Sequence, residues 1–414
     1  MHALAAASSL ALLLASAPGR SQDTATLLRR LVSPNMAVRA DAAAALARRK
    51  DPSATSVLVQ RLQQEPTASV RSQIAAALAN ARDPAAVPGL IRAAKHRLPA
   101  VRAAAVRALG IIGQRRACPA VRRALKDKAA SVKEAALEAV VLLGDGHACR
   151  LVKDLLTDAD WRVRRRAVTA LAGIPCRDAA GAIIARLEDA RPEVRYQAAM
   201  SLGGLGDRSV APALIRMMRR SRSQDRFGAR YFAANALGLL GDARAVPVLA
   251  KALQDRMPFA RAAAAFALGR LGDRSVCPAL VRAVHDPFVY VRFQAVQALG
   301  ELRDRQAIPA LCKALADPKE HEDIHEQAAK ALGKIGDASA LSALIAARRD
   351  ADEAVRKNVA LALGRIGDRR AVLALRELAA DRDASVRSAA VAAMHMLDAH
   401  RDTPTKLDRK GAHQ

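Results

Sequence analysis

Aromatic residues are scarce in this chain: one tryptophan, three tyrosines and six phenylalanines make up 2% of its 414 residues. Acidic residues are few beside basic ones, 40 against 67, which leaves a formal net charge of +27. The five cysteines lack the paired spacing of a disulfide framework or a zinc site. After the N-terminal segment, no run of residues is long and apolar enough to span a bilayer. These scarcities weigh against a disulfide-rich module, a cysteine-bound zinc domain and a membrane-spanning chain.

What the sequence has in abundance is one phrase, close to V-R-x-x-A-A-x-A-L-G-x-L-G-D, with a usual period of 31 residues. Such regularity predicts an array of one supersecondary unit. The first position of the phrase is filled by Val38, Val70, Val101, Val132, Val163, Val194, Ala229, Ala260, Val291, Ile324, Val355 and Val386.

The residues of one repeat, 260–290, predict a pair of short helices. Small apolar residues recur at helical spacing up to Leu268, Gly269 is expected to weaken this helix, and Gly272 to end it. Pro278 then falls in the first turn of the second helix, where a missing N–H is tolerated. Since one pair cannot bury its own apolar face, the predicted fold class is all-α: an α-solenoid, a superhelical stack of about twelve helix pairs over residues 20–398.

The phrase, together with G-D-x-x-A-V-P-x-L between the helices, resembles the HEAT-like repeats of the phycobilisome-lyase type over about residues 24–398. The resemblance implies an armadillo-like α-α superhelix in which the helix carrying V-R-x-x lines the concave side. Proteins with such repeats include bilin lyases, a di-iron hydroxylase, DNA-binding glycosylase relatives and many interaction scaffolds. The resemblance therefore implies an architecture and leaves the activity open.

Two rows of charged residues follow the repeat, and we expect them to cap turns and to pair between repeats rather than to form a nucleic-acid stripe. The basic row comprises Arg39, Arg71, Arg102, Arg164, Arg195, Arg230, Arg261, Arg292, Arg356 and Arg387. The acidic row comprises Asp51, Asp83, Asp145, Asp207, Asp242, Asp273, Asp304, Asp337 and Asp368. The cysteines Cys118, Cys149 and Cys277 fill one packing position, and equivalent positions in neighbouring repeats should lie about 10 Å apart, too far for a disulfide. We expect these cysteines to be small buried residues.

All ten aromatic residues lie between positions 161 and 293, in the middle repeats. Because the alanines and leucines of the phrase must face the core, the x positions are predicted to face outward. A contact surface is therefore expected at Tyr196, Gln197, Tyr231, Phe232, Asn235, Phe266, Phe293, Gln294 and Gln297. The alternative is that the rings fold back over gaps between alanine-rich helices.

The same region holds a stretched period of 35 residues and two basic stretches. Insertions in repeat proteins form loops that are often on the binding edge. We expect an acidic partner to be selected by Arg165, Arg166, Arg219, Arg220 and Arg222. The excess of arginine is equally well explained as a compositional bias.

The letters H-E-x-x-H occur at His321–His325, a pattern typical of zinc proteases when it lies on one helix face. Here the stretch straddles a loop and a first turn, His325 fills the usual arginine position, and no third ligand is evident. The di-iron hydroxylase of the family has histidine-glutamate pairs in four repeats, but this chain has them in one. We therefore predict no catalytic residue, no metal site and no cofactor.

At the N-terminus, Ala15-Ser16-Ala17 follows an apolar run and has the form of a signal-peptidase site. Residues 1–19 are interpreted as a signal peptide and the protein as exported, periplasmic or secreted, although the segment lacks a basic start and a capping helix is the alternative. The polar residues 399–414 are expected to be disordered.

The function that the sequence favours is that of a non-catalytic scaffold or adaptor that binds an acidic protein or peptide on the concave face of the central repeats. Nucleic-acid binding through a basic groove, which would require a cytoplasmic protein, is the second possibility. A bilin-lyase-like enzyme is the third.

Overall fold

The computed structural model describes residues 22–49, 54–220 and 228–399, and throughout these ranges the regular elements are helices. The chain divides within α12, between Ser201 and Leu202, into two compact units. The helices up to the division are α1 (Gln22–Arg30), α2 (Met36–Arg49), α3 (Thr55–Gln64), α4 (Ala68–Ala81), α5 (Val87–Ala93), α6 (Pro99–Ile112), α7 (Cys118–Ala124), α8 (Ala130–Leu143), α9 (Cys149–Asp154), α10 (Trp161–Gly173), α11 (Ala179–Ile184) and α12 (Pro192–Leu205). The second unit continues with α13 (Ala211–Arg220), α14 (Ala229–Leu240), α15 (Val246–Ala252), α16 (Pro258–Leu271), α17 (Cys277–Ala283), α18 (Val289–Leu302), α19 (Ile308–Ala316), α20 (Glu322–Ile335), α21 (Leu341–Ala346), α22 (Glu353–Ile366), α23 (Val372–Ala379) and α24 (Ala384–Ala399).

Most of the described repeats consist of a long helix, a short 3-10 turn and a short helix, as α16, residues 274–276 and α17 illustrate, whereas no 3-10 turn separates α10 from α11. Within the first unit the long helices α2, α4, α6, α8 and α10 pack side by side in chain order. Within the second unit α14, α16, α18, α20, α22 and α24 do the same. The alanines and leucines of the phrase are buried between them, with Ala264 and Leu268 fully so. The predicted all-α solenoid is therefore confirmed.

The first glycine of the phrase allows the long helices to approach each other closely. A Cβ atom added to Gly269 would lie 2.7 Å from the Cα of Ala298 and 2.8 Å from its Cβ. The expectation that Gly269 weakens its helix therefore missed its main role, which is close packing against the next helix. Gly272 does end α16, in the left-handed conformation with φ +73°. The same close approach, between 2.6 and 2.9 Å from an alanine Cα, recurs at Gly110, Gly203, Gly238, Gly300, Gly333 and Gly364.

The acidic row caps the 3-10 turns, as the repeat pattern predicted. Asp273, for example, accepts a hydrogen bond of 2.9 Å from the backbone N–H of Ser275. Equivalent bonds are accepted by Asp83, Asp145, Asp207, Asp242, Asp304, Asp337 and Asp368, while Asp51 lies outside the described residues.

Most of the basic row pairs with a second acidic row that was not predicted from the repeat pattern, while, among the described residues, Arg71 and Arg387 donate to backbone carbonyls only. Arg261 donates to both carboxylate oxygens of Asp286, at 2.6 and 2.7 Å, and its Nη1 donates to the carbonyl of Asp255 at 2.8 Å. Each such arginine thus links two turns: the turn that precedes its own long helix and the turn that precedes the long helix of the next repeat. The expectation of pairing between repeats was right, but the acids lie 25 to 28 residues after the arginines. Ion pairs of this kind are Arg39–Glu65, Arg102–Asp127, Arg164–Asp189, Arg230–Asp255, Arg292–Glu320 and Arg356–Asp381.

Cys149 and Cys176 form a disulfide, so the expectation that the packing position leaves its cysteines unpaired was wrong for Cys149. Its partner occupies the segment between α10 and α11 rather than the equivalent packing position, and this segment folds back until the two Cα atoms are 5.5 Å apart. Cys118, Cys277 and Cys312 are free thiols. Burial, and to a lesser degree the charge of Asp304, raises the pKa of Cys277 to about 11.

Candidate functional site

The predicted contact residues lie on the long helices of successive repeats. Tyr196 and Gln197 belong to α12 and to the first unit. The others belong to the second unit: Tyr231, Phe232 and Asn235 on α14, Phe266 on α16, and Phe293, Gln294 and Gln297 on α18.

Their exposure differs from the prediction in two cases. Tyr231, Phe232, Phe266 and Phe293 are half-buried and reach the surface. Tyr196 is only 9% exposed and Gln294 8%, so the expectation that these two positions face outward was wrong. The alanines that follow Tyr196 in α12 take little space, and a large ring can fold back over such a surface, as the alternative interpretation anticipated.

The aromatic rings of α14 and α16 contact one another edge to face. The ring centroid of Tyr231 lies 5.0 Å from that of Phe232 and 6.5 Å from that of Phe259. Asn235 donates its amide hydrogen to the backbone carbonyl of Tyr231 at 3.0 Å, within its own helix. The amide of Asn235 therefore holds its orientation beside the ring cluster without help from another repeat.

A pocket of about 490 Å³ opens between α16 and α18. It brings together three of the predicted residues and adds charged and small ones: Phe266, Gly269, Arg270, Gly272, Gln294, Gln297, Ala298 and Glu301. The Arg270 guanidinium lies 5.9 Å from the ring of Phe266, and Glu301 pairs with Lys334 at 2.7 Å.

Gln294 is the unusual residue of this pocket. Its side chain is 8% exposed, and its Oε1 is buried without a hydrogen-bond partner. A buried polar atom left unpaired is costly, and in native proteins such atoms usually have a partner. This oxygen has almost no accessible surface, so a molecule in the pocket would meet the half-buried amide of Gln297 instead. An amide has one acceptor and one donor group, which matches the two polar groups of a peptide bond, so the pocket is chemically suited to a peptide segment.

The predicted arginines occupy two places. In the first unit, Arg165 lies over the ring of Trp161 at 5.5 Å, together with Arg162 at 5.3 Å and Arg191 at 4.9 Å. A hydrogen bond from Arg191 lowers the pKa of Glu193 beside this cluster. Arg166 is exposed. In the second unit, Arg219 and Arg220 are exposed in the last turn of α13, and Arg222 lies outside the described residues.

The two histidines of the H-E-x-x-H stretch serve the repeat structure. His321 caps α20 by accepting from the N–H of Asp323 at 3.3 Å. The Nδ1 of His325 lies 3.4 Å from Asp350, in the position where other repeats carry the arginine ion pair. Among the described residues, no group of three or more His, Cys, Asp and Glu could hold a metal ion.

Sequence reasoning missed the most exposed aromatic residues among those that the structure describes. Phe259 is 61% exposed, Phe288 51% and Tyr290 47%. All three lie at or beside the first residue of α16 or α18, outside the x positions on which the prediction concentrated. A large apolar residue at the start of a helix, where small polar residues are preferred, was the available signal.

No described helix combines the length and the apolarity that a membrane span requires. Comparison with curated protein sequences finds no match. A family model described as HEAT repeats matches residues 2–79, 55–140, 150–229, 228–289, 282–352 and 343–408.

Three solved structures share the fold at low sequence identity. Kap95p, in a structure concerning its binding to RanGDP, is 12% identical with a TM-score of 0.61, covering 97% of this chain and 64% of that one. Kap121p bound to Pho4p is 14% identical with a TM-score of 0.57, covering 91% and 49%. The karyopherin Kap121p bound to the extreme C-terminus of the protein phosphatase Cdc14p is 14% identical with a TM-score of 0.55, covering 91% and 49%. The chain thus spans between about half and 64% of the length of these structures.

Proposed function

The chain belongs to the HEAT repeat family, and from that premise we propose that it is a non-catalytic scaffold that binds a protein or peptide segment on the long helices of its central repeats. Within the second unit the contact residues are Tyr231, Phe232, Asn235, Phe266, Phe293, Gln294 and Gln297. The proposal includes the concave side as their location and the phycobilisome-lyase type as the repeat subtype, which rests on the repeat phrase.

The observation that carries this proposal is the α16–α18 pocket, in which Phe266 and Gln297 are half-buried and reach the surface. The amide of Gln297 can accept from a peptide N–H and donate to a peptide carbonyl, and the ring of Phe266 offers apolar contact area. The Oε1 of Gln294 in the same pocket lining is buried without a hydrogen-bond partner, and local features that lower stability without a structural gain are typical of functional sites. The karyopherin structures support the choice of partner class, since Kap121p is described as bound to Pho4p and to the C-terminus of Cdc14p.

We propose an acidic partner because arginines at the predicted positions have few acids around them. Arg165, Arg166 and Arg219 have no ion-pair partner within the described part of the chain. Guanidinium groups bind carboxylates in a fixed, two-pronged geometry. Residues 1–19 as a signal peptide and export of the protein remain part of the proposal. The predicted tail begins at Ala399, which ends α24, and its other residues, like residues 1–19, lie outside the described ranges. The Cys149–Cys176 disulfide supports export, because disulfides persist in oxidising compartments.

The test is selection of peptides from a random display library on the immobilised wild-type protein and on a Gln297→Leu variant. Replacing this half-buried amide by an apolar side chain of similar size should leave stability nearly unchanged. Peptides enriched on the wild type and lost on this variant would support the site, and an excess of Asp and Glu among them would support the acidic partner. Equal enrichment on both proteins, or none on either, would refute the peptide site.

Two controls complete the design. A Leu373→Ala variant, changed at a side chain that is 73% exposed in α23, should retain the selected peptides. Single-stranded oligonucleotide is added as a competitor at several salt concentrations. Displacement of the peptides by oligonucleotide with a steep salt dependence would favour the nucleic-acid alternative.

A further inference from the structure

Five large apolar side chains lie exposed at the starts of two adjacent helices in the second unit. At α16 these are Met257, 37% exposed, and Phe259, 61% exposed; at α18 they are Phe288, Val289 and Tyr290, at 51, 43 and 47%. We call these five residues the apolar strip. Single exposed apolar residues are common on proteins, but a group of this size usually marks a contact surface.

The two parts of the apolar strip lie along one edge. α16 and α18 pack side by side in consecutive repeats, with Gly269 against Ala298. At their first turns, the guanidinium carbon of Arg261 lies 5.5 Å from the centre of the Phe288 ring. Arg261 follows Phe259 by two residues, so its contact joins the start of one helix to the start of the next.

The apolar strip includes two positions at which a polar residue could cap α16 or α18. Met257 and Phe288 occupy the N-cap positions and provide no side-chain hydrogen bond to the first turn, as is also true of Leu98 in α6 and Ala129 in α8. In α22 the same position is Asp352, which accepts from the N–H groups of Ala354 and Val355. Both helices therefore lack a capping bond and expose apolar surface to water, and neither feature favours the folded chain.

The charges beside the apolar strip are positive and unpaired. Arg256 directly precedes Met257, and Lys251 and Arg282 occupy equivalent positions on the preceding short helices. All three are exposed, and none forms an ion pair within the described ranges of the chain. The neighbouring acids do not offset them, because Asp255 pairs with Arg230 and Asp286 pairs with Arg261.

We propose that the apolar strip and these three basic residues dock on the surface of an anionic lipid bilayer. The five side chains lie at helix starts along an edge, and none of them lines the α16–α18 pocket. Aromatic and aliphatic side chains favour the boundary between headgroups and acyl chains, and nearby Lys and Arg are attracted to anionic headgroups. The binding is peripheral and reversible, and it does not depend on the proposed peptide site.

The experiment is co-sedimentation of the purified full chain with phosphatidylcholine vesicles, with and without phosphatidylglycerol. We expect binding that requires phosphatidylglycerol. A Phe259→Ser, Phe288→Ser, Tyr290→Ser variant should bind at least about tenfold more weakly, since three apolar insertions are lost. Its matched control, Leu142→Ser, Leu239→Ser, Leu373→Ser, removes equally exposed apolar groups elsewhere and should bind like the wild type.

Charge is tested in the same way. A Lys251→Gln, Arg256→Gln, Arg282→Gln variant should lose binding, whereas Arg115→Gln, Arg123→Gln, Lys126→Gln has the same net charge and should retain most of it. No binding of the wild type to either kind of vesicle would overturn the proposal. Equal binding by the strip variant and its control, or equal binding to vesicles with and without phosphatidylglycerol, would do so as well. Helicity of every variant, measured by circular dichroism, separates lost docking from lost folding.

Discussion

A single methyl group added at Gly269 should destabilise the second unit, although alanine is the better helix former. In an open helical position, glycine to alanine gains about 0.5 to 1 kcal/mol. At Gly269 the new Cβ would stand 2.7 Å from the Cα of Ala298, where carbon atoms normally lie about 3.5 to 4.0 Å apart. The contact is with backbone, so no side-chain rotation relieves it and α16 must move away from α18.

The two effects can be compared in magnitude. Overpacking in a tight interior costs about 1 to 3 kcal/mol, and a backbone contact belongs at the upper end. Subtracting the helix gain of about 1 kcal/mol leaves an expected net loss of about 2 kcal/mol for Gly269→Ala.

Gly204 provides the matched control within the same unit. It is helical and exposed, and an added Cβ would meet nothing within 4 Å. Gly204→Ala should therefore raise stability by about 0.5 to 1 kcal/mol. A Gly269→Ala, Ala298→Gly double variant should recover only part of the loss, since it removes the contact with the Cβ of Ala298 and keeps the one with its Cα.

Urea unfolding followed by circular dichroism measures these differences, and hydrogen exchange of α16 and α18 localises them, because repeat arrays need not unfold in a single step. A Gly269→Ala protein as stable as the wild type, or stabilised like Gly204→Ala, would refute the close-packing argument.

Three further predictions concern the ion pairs and the disulfide. Arg356→Gln should lower the free energy of unfolding by about 2 to 4 kcal/mol, because it leaves the largely buried Asp381 without its two-pronged partner. Unfolding in urea at neutral pH measures this, and a loss below about 0.5 kcal/mol would contradict the expectation. The hydrogen bond from Arg356 lowers the pKa of Asp381, so the stabilisation is present above the unfolded pKa of about 3.9 and is lost as the pH falls through the folded pKa. The difference in melting temperature between wild type and Arg356→Gln should accordingly narrow below pH 4, and a constant difference down to strongly acidic pH would count against the linkage. Peptide mapping under non-reducing conditions should recover Cys149 linked to Cys176, and free thiols at both positions would exclude the bond. Cys149→Ser should lower the unfolding free energy by about 3 kcal/mol, since the disulfide closes a separation of 27 residues.

The repeat phrase was sufficient to predict the helix pairs because every apolar position of a helical face recurs with the same spacing. The turn caps followed from the same spacing, since Asp273 and most of its equivalents directly follow the glycine that ends a helix, and Asp83 and Asp304 follow an arginine in the same left-handed conformation. The acids that pair with the arginines were overlooked, although Asp286 and its equivalents recur as regularly. Their pairing depends on the distance between an arginine on one long helix and the turn that precedes the next long helix. The spacing of residues along the sequence does not give this distance.

The site was harder to predict than the fold. The slots of Phe266, Gln294 and Gln297 were identified from sequence, and the structure brings all three to one pocket. The burial of Tyr196 and of Gln294 was not predicted, because helical spacing does not reveal how far a side chain folds back over its neighbours. The disulfide was missed because Cys176 lies in a segment between helices, where the repeat gives no position.

The arginine ion pairs have a consequence for the length of the array. Arg261 contacts the turn before its own helix and the acid of the following turn, and Arg292 does the same one repeat later. Removal of residues 262–292 would place Arg261 where Arg292 now stands, facing Glu320. A whole repeat can therefore be deleted or duplicated without leaving an unpaired charge. Within a repeat the pairs span 25 to 28 residues, so a larger change between an arginine and its acid separates the two. Natural variation in length should then come mainly in steps of one repeat, with longer insertions within a repeat confined to stretches outside these contacts.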